Sequence, residues 1–143
     1  LAMIGLDRVA GYFGADSIRA WASAGRPLDV VPEIAVSELA PMLESGAVTV
    51  LDVRAADEWE SGHLPGVANI PLGYLTERLD EVPRGSPLVT QCQGGGRSAI
   101  AASILKAHGF ATVRNLAGGF AAWKAAGLPV ERPADSAPPA ATR

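Results

Sequence analysis

Cysteine is almost absent from this chain, which has one, Cys92, in 143 residues, together with two histidines. A disulfide framework within the chain is excluded, and so is any common structural zinc site. No metal and no cofactor is expected. No run of about 18 apolar residues occurs, so nothing here is read as spanning a bilayer. The opening Leu1-Ala2-Met3-Ile4 lacks the charged and apolar regions of a signal peptide. Lys and Arg number 12 against 15 Asp and Glu, a net charge of −3, and no basic run occurs. That balance argues against a nucleic-acid partner and against an anionic membrane surface. These absences point to a reducing, cytoplasmic setting as the expectation. What is present is 48% hydrophobic and 19% charged residues, enough for one domain with a core.

The chain divides into three parts. Residues 133–143 are rich in Pro and Ala without apolar periodicity, and read as a flexible tail. Residues 34–132 alternate short apolar strands with amphipathic segments, the pattern of an open α/β sheet. Strands are expected at Thr49–Val53, Leu88–Gln91 and Val113–Leu116, and helices at Ser37–Glu44, Tyr74–Leu79, Ser98–Ala107 and Phe120–Ala126. Ile100, Ile104 and Ala107 share helical spacing and are expected to face the sheet. Gly109, after His108, sits where a left-handed helix cap belongs. Strands joined by helices in this order are parallel.

Residues 1–33 form an N-terminal arm that matches the end of the domain. Gly5-Leu6-Asp7-Arg8-Val9 resembles Gly109–Val113, and Ala20-Trp21-Ala22-Ser23-Ala24-Gly25-Arg26-Pro27 resembles Ala122–Pro129. A matched Trp followed by Gly and Pro at equal offsets is informative in a chain with three Trp. The arm is read as the remnant of a preceding module, with a strand at Val9–Tyr12. Chance similarity of an Ala-rich amphipathic arm is the alternative.

The chemistry sits in Cys92-Gln93-Gly94-Gly95-Gly96-Arg97-Ser98, between an expected strand and an expected helix. Ligands of open α/β sheets bind off the carboxyl ends of the strands, where this loop falls. Three glycines allow a tight curl that aims backbone N–H groups at one small anion. The positive end of the helix adds to them. Such surroundings favour a thiolate, and would equally stabilise a persulfide anion.

Four stretches in order now resemble the rhodanese family of sulfurtransferases, over roughly residues 33–130. They are Leu51-Asp52-Val53-Arg54, the run Glu58–Pro71 with its Gly62-His63-Leu64-Pro65-Gly66, the cysteine loop, and Leu116-Ala117-Gly118-Gly119-Phe120-Ala121-Ala122-Trp123. The resemblance implies a small parallel sheet flanked by helices on both faces. It implies that Cys92 takes a sulfane sulfur as a persulfide and passes it to a thiol or cyanide. Backbone amides of Gln93, Gly94, Gly95, Gly96, Arg97 and Ser98 would cradle that sulfur. Related phosphatases have five residues between Cys and Arg, whereas four separate Cys92 from Arg97. The shorter ring suits a single sulfur atom.

Where cyanide-detoxifying relatives carry extra basic residues, this loop has Gln93 and glycines, so glutathione persulfide competes with thiosulfate as the expected donor. Arg97 is the loop's one charge, and is open to two roles, contact with the donor or anchorage of the loop. Asp52, Arg54 and Glu58 are expected to form a structural ion pair. His63 is read as structural, with acid–base work as the alternative, and His108 as a helix-end residue. Gly118-Gly119 allows a tight turn, and Trp59 and Trp123 read as packing residues. The competing functional reading is a persulfide carrier or docking module with little turnover alone. An upstream domain in the full-length protein is expected with it, such as a second rhodanese module or a metallo-β-lactamase-fold dioxygenase.

Overall fold

The computed structural model describes residues 11–133. The expected tail beyond Pro133 and the Gly5–Val9 half of the repeat lie outside the described residues. Strands β1 (Glu33–Ile34), β2 (Thr49–Asp52), β3 (Ala68–Asn69), β4 (Leu88–Gln91) and β5 (Val113–Leu116) form one sheet in the order β1-β5-β4-β2-β3. Every neighbouring pair is parallel. Helices α2 (Val36–Glu44), α3 (Ala56–Glu60), α4 (Gly96–Ala107) and α5 (Gly119–Ala125) connect the strands or close the sheet, with a 3-10 helix over Leu72–Glu77.

The pleat explains the two-sided core. Alternate residues of a strand face opposite sides. Leu51, Val53, Leu88, Cys92 and Val113 join Ala101, Ala102 and Leu105 of α4 in one buried cluster. Val50, Val89 and Leu116 join Leu39, Phe120 and Trp123 in another. Both faces of the sheet are therefore covered, as a parallel sheet requires.

Three expectations change. The segment expected as a helix over Tyr74–Leu79 is a 3-10 turn that ends at Glu77. Ile100 is 56% exposed and Ala107 is exposed, because α4 turns Ser98, Ala101, Ala102 and Leu105 inward instead. That rotation is set by Ser98, whose hydroxyl bonds to Asn115 of β5. Tyr12, expected in a strand, is 97% exposed and lies in none.

Residues 11–30 make a separate unit containing α1 (Asp16–Ser23). Several bonds at the end of α1 recur at the end of α5. Trp21 Nε1 donates to the Pro27 carbonyl at 3.1 Å, and Trp123 Nε1 donates to the Pro129 carbonyl at 2.8 Å, each six residues on. Gly25 and Gly127 both adopt φ +70°. The N–H of Ala24 reaches the Ala20 carbonyl and that of Ala126 the Ala122 carbonyl, both at 3.0 Å. At the positions of buried Phe120 and Trp123, α1 carries Ile18 and Trp21, 59% and 46% exposed. The expected boundary at residue 33 moves to Val31, because Glu33 pairs with Asn115 in β1 and Val31 packs on the core. We propose that the arm before it, with its likeness to the end of α5, derives from the closing end of another module of this fold.

The unit from Val31 onward contains both clusters of the core. A chain beginning at Val31 is accordingly expected to unfold in one cooperative transition, like the full chain. Circular dichroism against denaturant checks this; loss of cooperativity would place residues 11–30 in the domain core.

Candidate active site

Strand β4 delivers Cys92 to the carboxyl end of the sheet, and the chain then curls into α4. Gly95 makes the curl possible with φ +101°, a conformation costly for any side chain. Its N–H donates to the Cys92 sulfur at 3.2 Å. The sulfur thus lies under the first turn of a 12-residue helix, where unpaired N–H groups and the helix dipole favour an anion. Burial alone raises the Cys92 thiol. Bonds from the Ser98 hydroxyl and from the N–H groups of Ser98, Gly94 and Gly95 outweigh it, and the thiol ends below its ordinary 9.0.

Ser98 does more than line the loop. Its hydroxyl lies 3.3 Å from the Cys92 sulfur, 3.1 Å from the Gly95 carbonyl and 2.6 Å from Asn115 Oδ1. One hydroxyl has one proton to give, so the sulfur, the Gly95 carbonyl and Asn115 compete for it. Asn115 is itself oriented by donating Nδ2 to Glu33 Oε1 at 3.3 Å. This buried Asn was missed from sequence, where it reads as one polar residue in a short strand. Only the pairing of β5 with β4 brings it beneath the loop.

A second loop braces the first. The N–H groups of Phe120 and Ala121 donate to the carbonyls of Cys92 and Gln93 at 2.8 and 3.1 Å. They approach so closely because Gly119 has no side chain: a Cβ there would lie 2.1 Å from the Cys92 carbonyl oxygen. The Gly118-Gly119 pair therefore serves the active loop as well as the turn.

The expected Asp52, Arg54 and Glu58 group divides in two. Arg54 pairs with Asp52, Nη2 to Oδ2 at 2.6 Å, with both side chains almost wholly buried. Arg54 also donates to the Gly62 carbonyl at 2.8 Å and lies 4.2 Å above the Phe120 ring. Glu58 turns instead to Arg97, taking Nη1 at 2.6 Å and Nη2 at 2.8 Å. The reason is placement: Glu58 is on the first turns of α3, and its Oε2 also accepts the Ala55 N–H at 3.2 Å. The Arg97 bonds hold the Glu58 carboxyl down at about 2, with Arg54 adding a minor field. Glu58 in turn raises Arg97 above its ordinary value, and the nearby Cys92 adds to the rise.

His63 is buried. Its Nδ1 lies 3.0 Å from the Trp59 carbonyl, and its ring stacks on Trp59 at 3.9 Å. His108 caps the end of α4, Nδ1 to the Ile104 carbonyl at 2.9 Å. Among the described residues no group of His, Cys, Asp and Glu is arranged to hold a metal ion. No helix among them is long and apolar enough to cross a membrane.

A parallel α/β sheet with a cysteine in an amide-lined loop at its carboxyl edge defines a class of anion-cradling domains. The chain belongs to the rhodanese-like domain family, which it matches over residues 35–126. It is 33% identical over 90 residues to the thiosulfate sulfurtransferase GlpE of Shewanella oneidensis, covering 63% of this chain and 89% of that one. It is 37% identical over 109 residues to the HTH-type transcriptional regulator Rv0324 of Mycobacterium tuberculosis, covering 75% and 46% respectively. The chain spans about half the length of several such curated relatives. The crystal structure of a rhodanese-related protein from Thermoplasma volcanium matches with a TM-score of 0.65 at 31% identity. That match covers 70% of this chain and 97% of the other.

The glycines of the loop are predicted to differ in tolerance. A Cβ at Gly94 meets nothing within 4 Å, whereas Gly95 needs its positive φ and Gly119 has no room. Gly94→Ala should therefore leave the cysteine's reactivity close to that of the parent. Gly95→Ala and Gly119→Ala should each slow alkylation of Cys92 by roughly tenfold or more, as lost oxyanion-type donors do. The pH dependence of alkylation is the check. Reactivity rises as pH passes through the thiol's pKa, so the midpoint should lie below 9.0, and Ser98→Ala should move it upward.

Proposed function

We propose that this domain is a sulfurtransferase that carries a sulfane sulfur as a persulfide on Cys92. The observation that supports it most is the Cys92 sulfur facing the Gly95 N–H and the Ser98 hydroxyl at the head of α4. The Cys92 thiolate attacks the outer sulfur of a donor, either thiosulfate or a small persulfide such as glutathione persulfide. A sulfur–sulfur bond forms to Cys92 as the donor's own sulfur–sulfur bond breaks, and sulfite or a thiolate leaves with the electron pair. The same N–H groups then face the negative charge on the persulfide. A thiol or cyanide attacks the outer sulfur, and Cys92 departs as thiolate. Four residues between Cys92 and Arg97 keep the cradle small, which favours one sulfur atom over a tetrahedral phosphate.

The second reading is a carrier or regulatory module that loads sulfur but depends on another domain to turn over. It is favoured by the part-length match to longer relatives, one of them named a transcriptional regulator. The two readings share the loading step and differ afterwards.

Incubation with donor is expected to add one sulfur to the intact protein, removable by cyanide or a thiol, as read by mass spectrometry. Cys92→Ser should abolish it with the fold unchanged, since no other cysteine can take over. Sulfur transfer by that variant would overturn the assignment. Steady-state turnover with excess acceptor supports the enzyme; loading without turnover supports the carrier.

A further inference from the structure

We infer that Glu58 determines which sulfur donors this site accepts, by occupying the one positive charge the cysteine loop offers. The inference rests on the sulfur-transfer reading above and deepens it. Arg97 is the only charged residue between Cys92 and Ser98. Free, its two-pronged guanidinium would bind the oxygens of a sulfonate or other oxyanion in a bidentate fashion. Here Nη1 and Nη2 are both given to Glu58, at 2.6 and 2.8 Å. The carboxylate is not a chance visitor, since the Ala55 N–H fixes it on α3 while α4 fixes Arg97.

Position and charge make this clasp a filter rather than a brace. Its side chains are 40% and 33% exposed, so it borders solvent while Cys92 beneath is 2% exposed. A half-exposed pair of this kind contributes little to folding. Its effect on an approaching anion is larger. Thiolate, guanidinium and carboxylate together leave the site with one net negative charge. Thiosulfate brings two negative charges close to the sulfur it donates, and meets that repulsion while Glu58 holds the Nη1–Nη2 fork of Arg97 that would otherwise receive them. A peptide persulfide carries its charged groups several bonds away from the reacting sulfur and escapes most of that cost. The preferred donors are accordingly persulfides whose charge lies remote from sulfur.

The test compares Cys92 loading rates with thiosulfate and with glutathione persulfide, by rapid-quench mass spectrometry on the full chain. Parent, Glu58→Gln and the double variant Glu58→Gln/Arg97→Gln are measured at low and high salt. Gln keeps an acceptor for the Ala55 N–H while releasing Arg97. Glu58→Gln should raise the thiosulfate-to-persulfide ratio roughly tenfold, the scale of one or two hydrogen bonds to a charged group. The gain should shrink with salt, because the clasp is not buried. It should vanish in the double variant. An unchanged ratio overturns the inference, as does an equal fall with both donors, which would make Glu58 only a brace. Failure of the parent to load from either donor would instead overturn the sulfur-transfer reading itself.

Discussion

The buried pairing of Arg54 with Asp52 is the contact on which the arrangement of this site depends. Asp52 ends β2 and Arg54 follows two residues later, where the chain leaves the sheet. Asp52 Oδ1 accepts the Arg54 backbone N–H at 2.9 Å, and its two oxygens share the guanidinium. Such a pair adds little net stability against an apolar substitute, yet removing one partner strands a buried charge at about 3–5 kcal/mol. Its value here is positional. The guanidinium also covers Phe120, and its Nη2 donates to the Gly62 carbonyl as well. Phe120 in turn gives its N–H to the Cys92 carbonyl. Strand β2, the His63 segment, α5 and the cysteine loop are thereby indexed to one another.

The cysteine loop is consequently held from outside as much as by its own glycines. Below it, Ser98 and Asn115 tie the head of α4 to β5. Behind it, the bare backbone of Gly119 brings α5 against Cys92 and Gln93. Donors fixed before a charge arrives need not reorganise when it forms, which is how fixed N–H groups favour a thiolate and, in turn, a persulfide. The loop residues facing out, Gln93, Gly94 and Gly96, are the exposed ones. Rigidity lies behind the sulfur and freedom in front of it.

How far the sequence reveals this follows from the range of each interaction. Strands β2, β4 and β5 stand out as β-branched or apolar runs between turn residues, and the cysteine loop as glycines at a strand-to-helix junction. The two-residue strands β1 and β3 leave no periodicity to read. The five-residue α3 is equally short, and its start is marked only by Glu58 reaching back to the Ala55 N–H. Side-chain partners are harder still. Proximity in sequence grouped Glu58 with Asp52 and Arg54, but its partner is 39 residues away. Asn115 meets Ser98 across 17 residues, through the pairing of two strands. Ile104 packs against the core as its spacing suggests, but Ile100, which looked like part of the same buried stripe because it is large, is exposed. The small Ala101 and Ala102 are buried instead, since Ser98 fixes the rotation of the helix.

The depth of the sulfur bears on the choice between enzyme and carrier. Cys92 is nearly inaccessible as a residue, while Gln93, Gly94 and Gly96 of its loop are exposed. A thiolate at that depth is shielded from bulky reagents. On the sulfur-transfer reading proposed above, loading requires a slim donor terminus that reaches inward to Cys92, and the sulfur it leaves is bonded to Cys92 at about 2 Å. On that reading, a small thiol and the cysteine of another protein differ in how closely they can approach the loaded sulfur, and the partly exposed Glu58–Arg97 clasp stands at the rim they would pass.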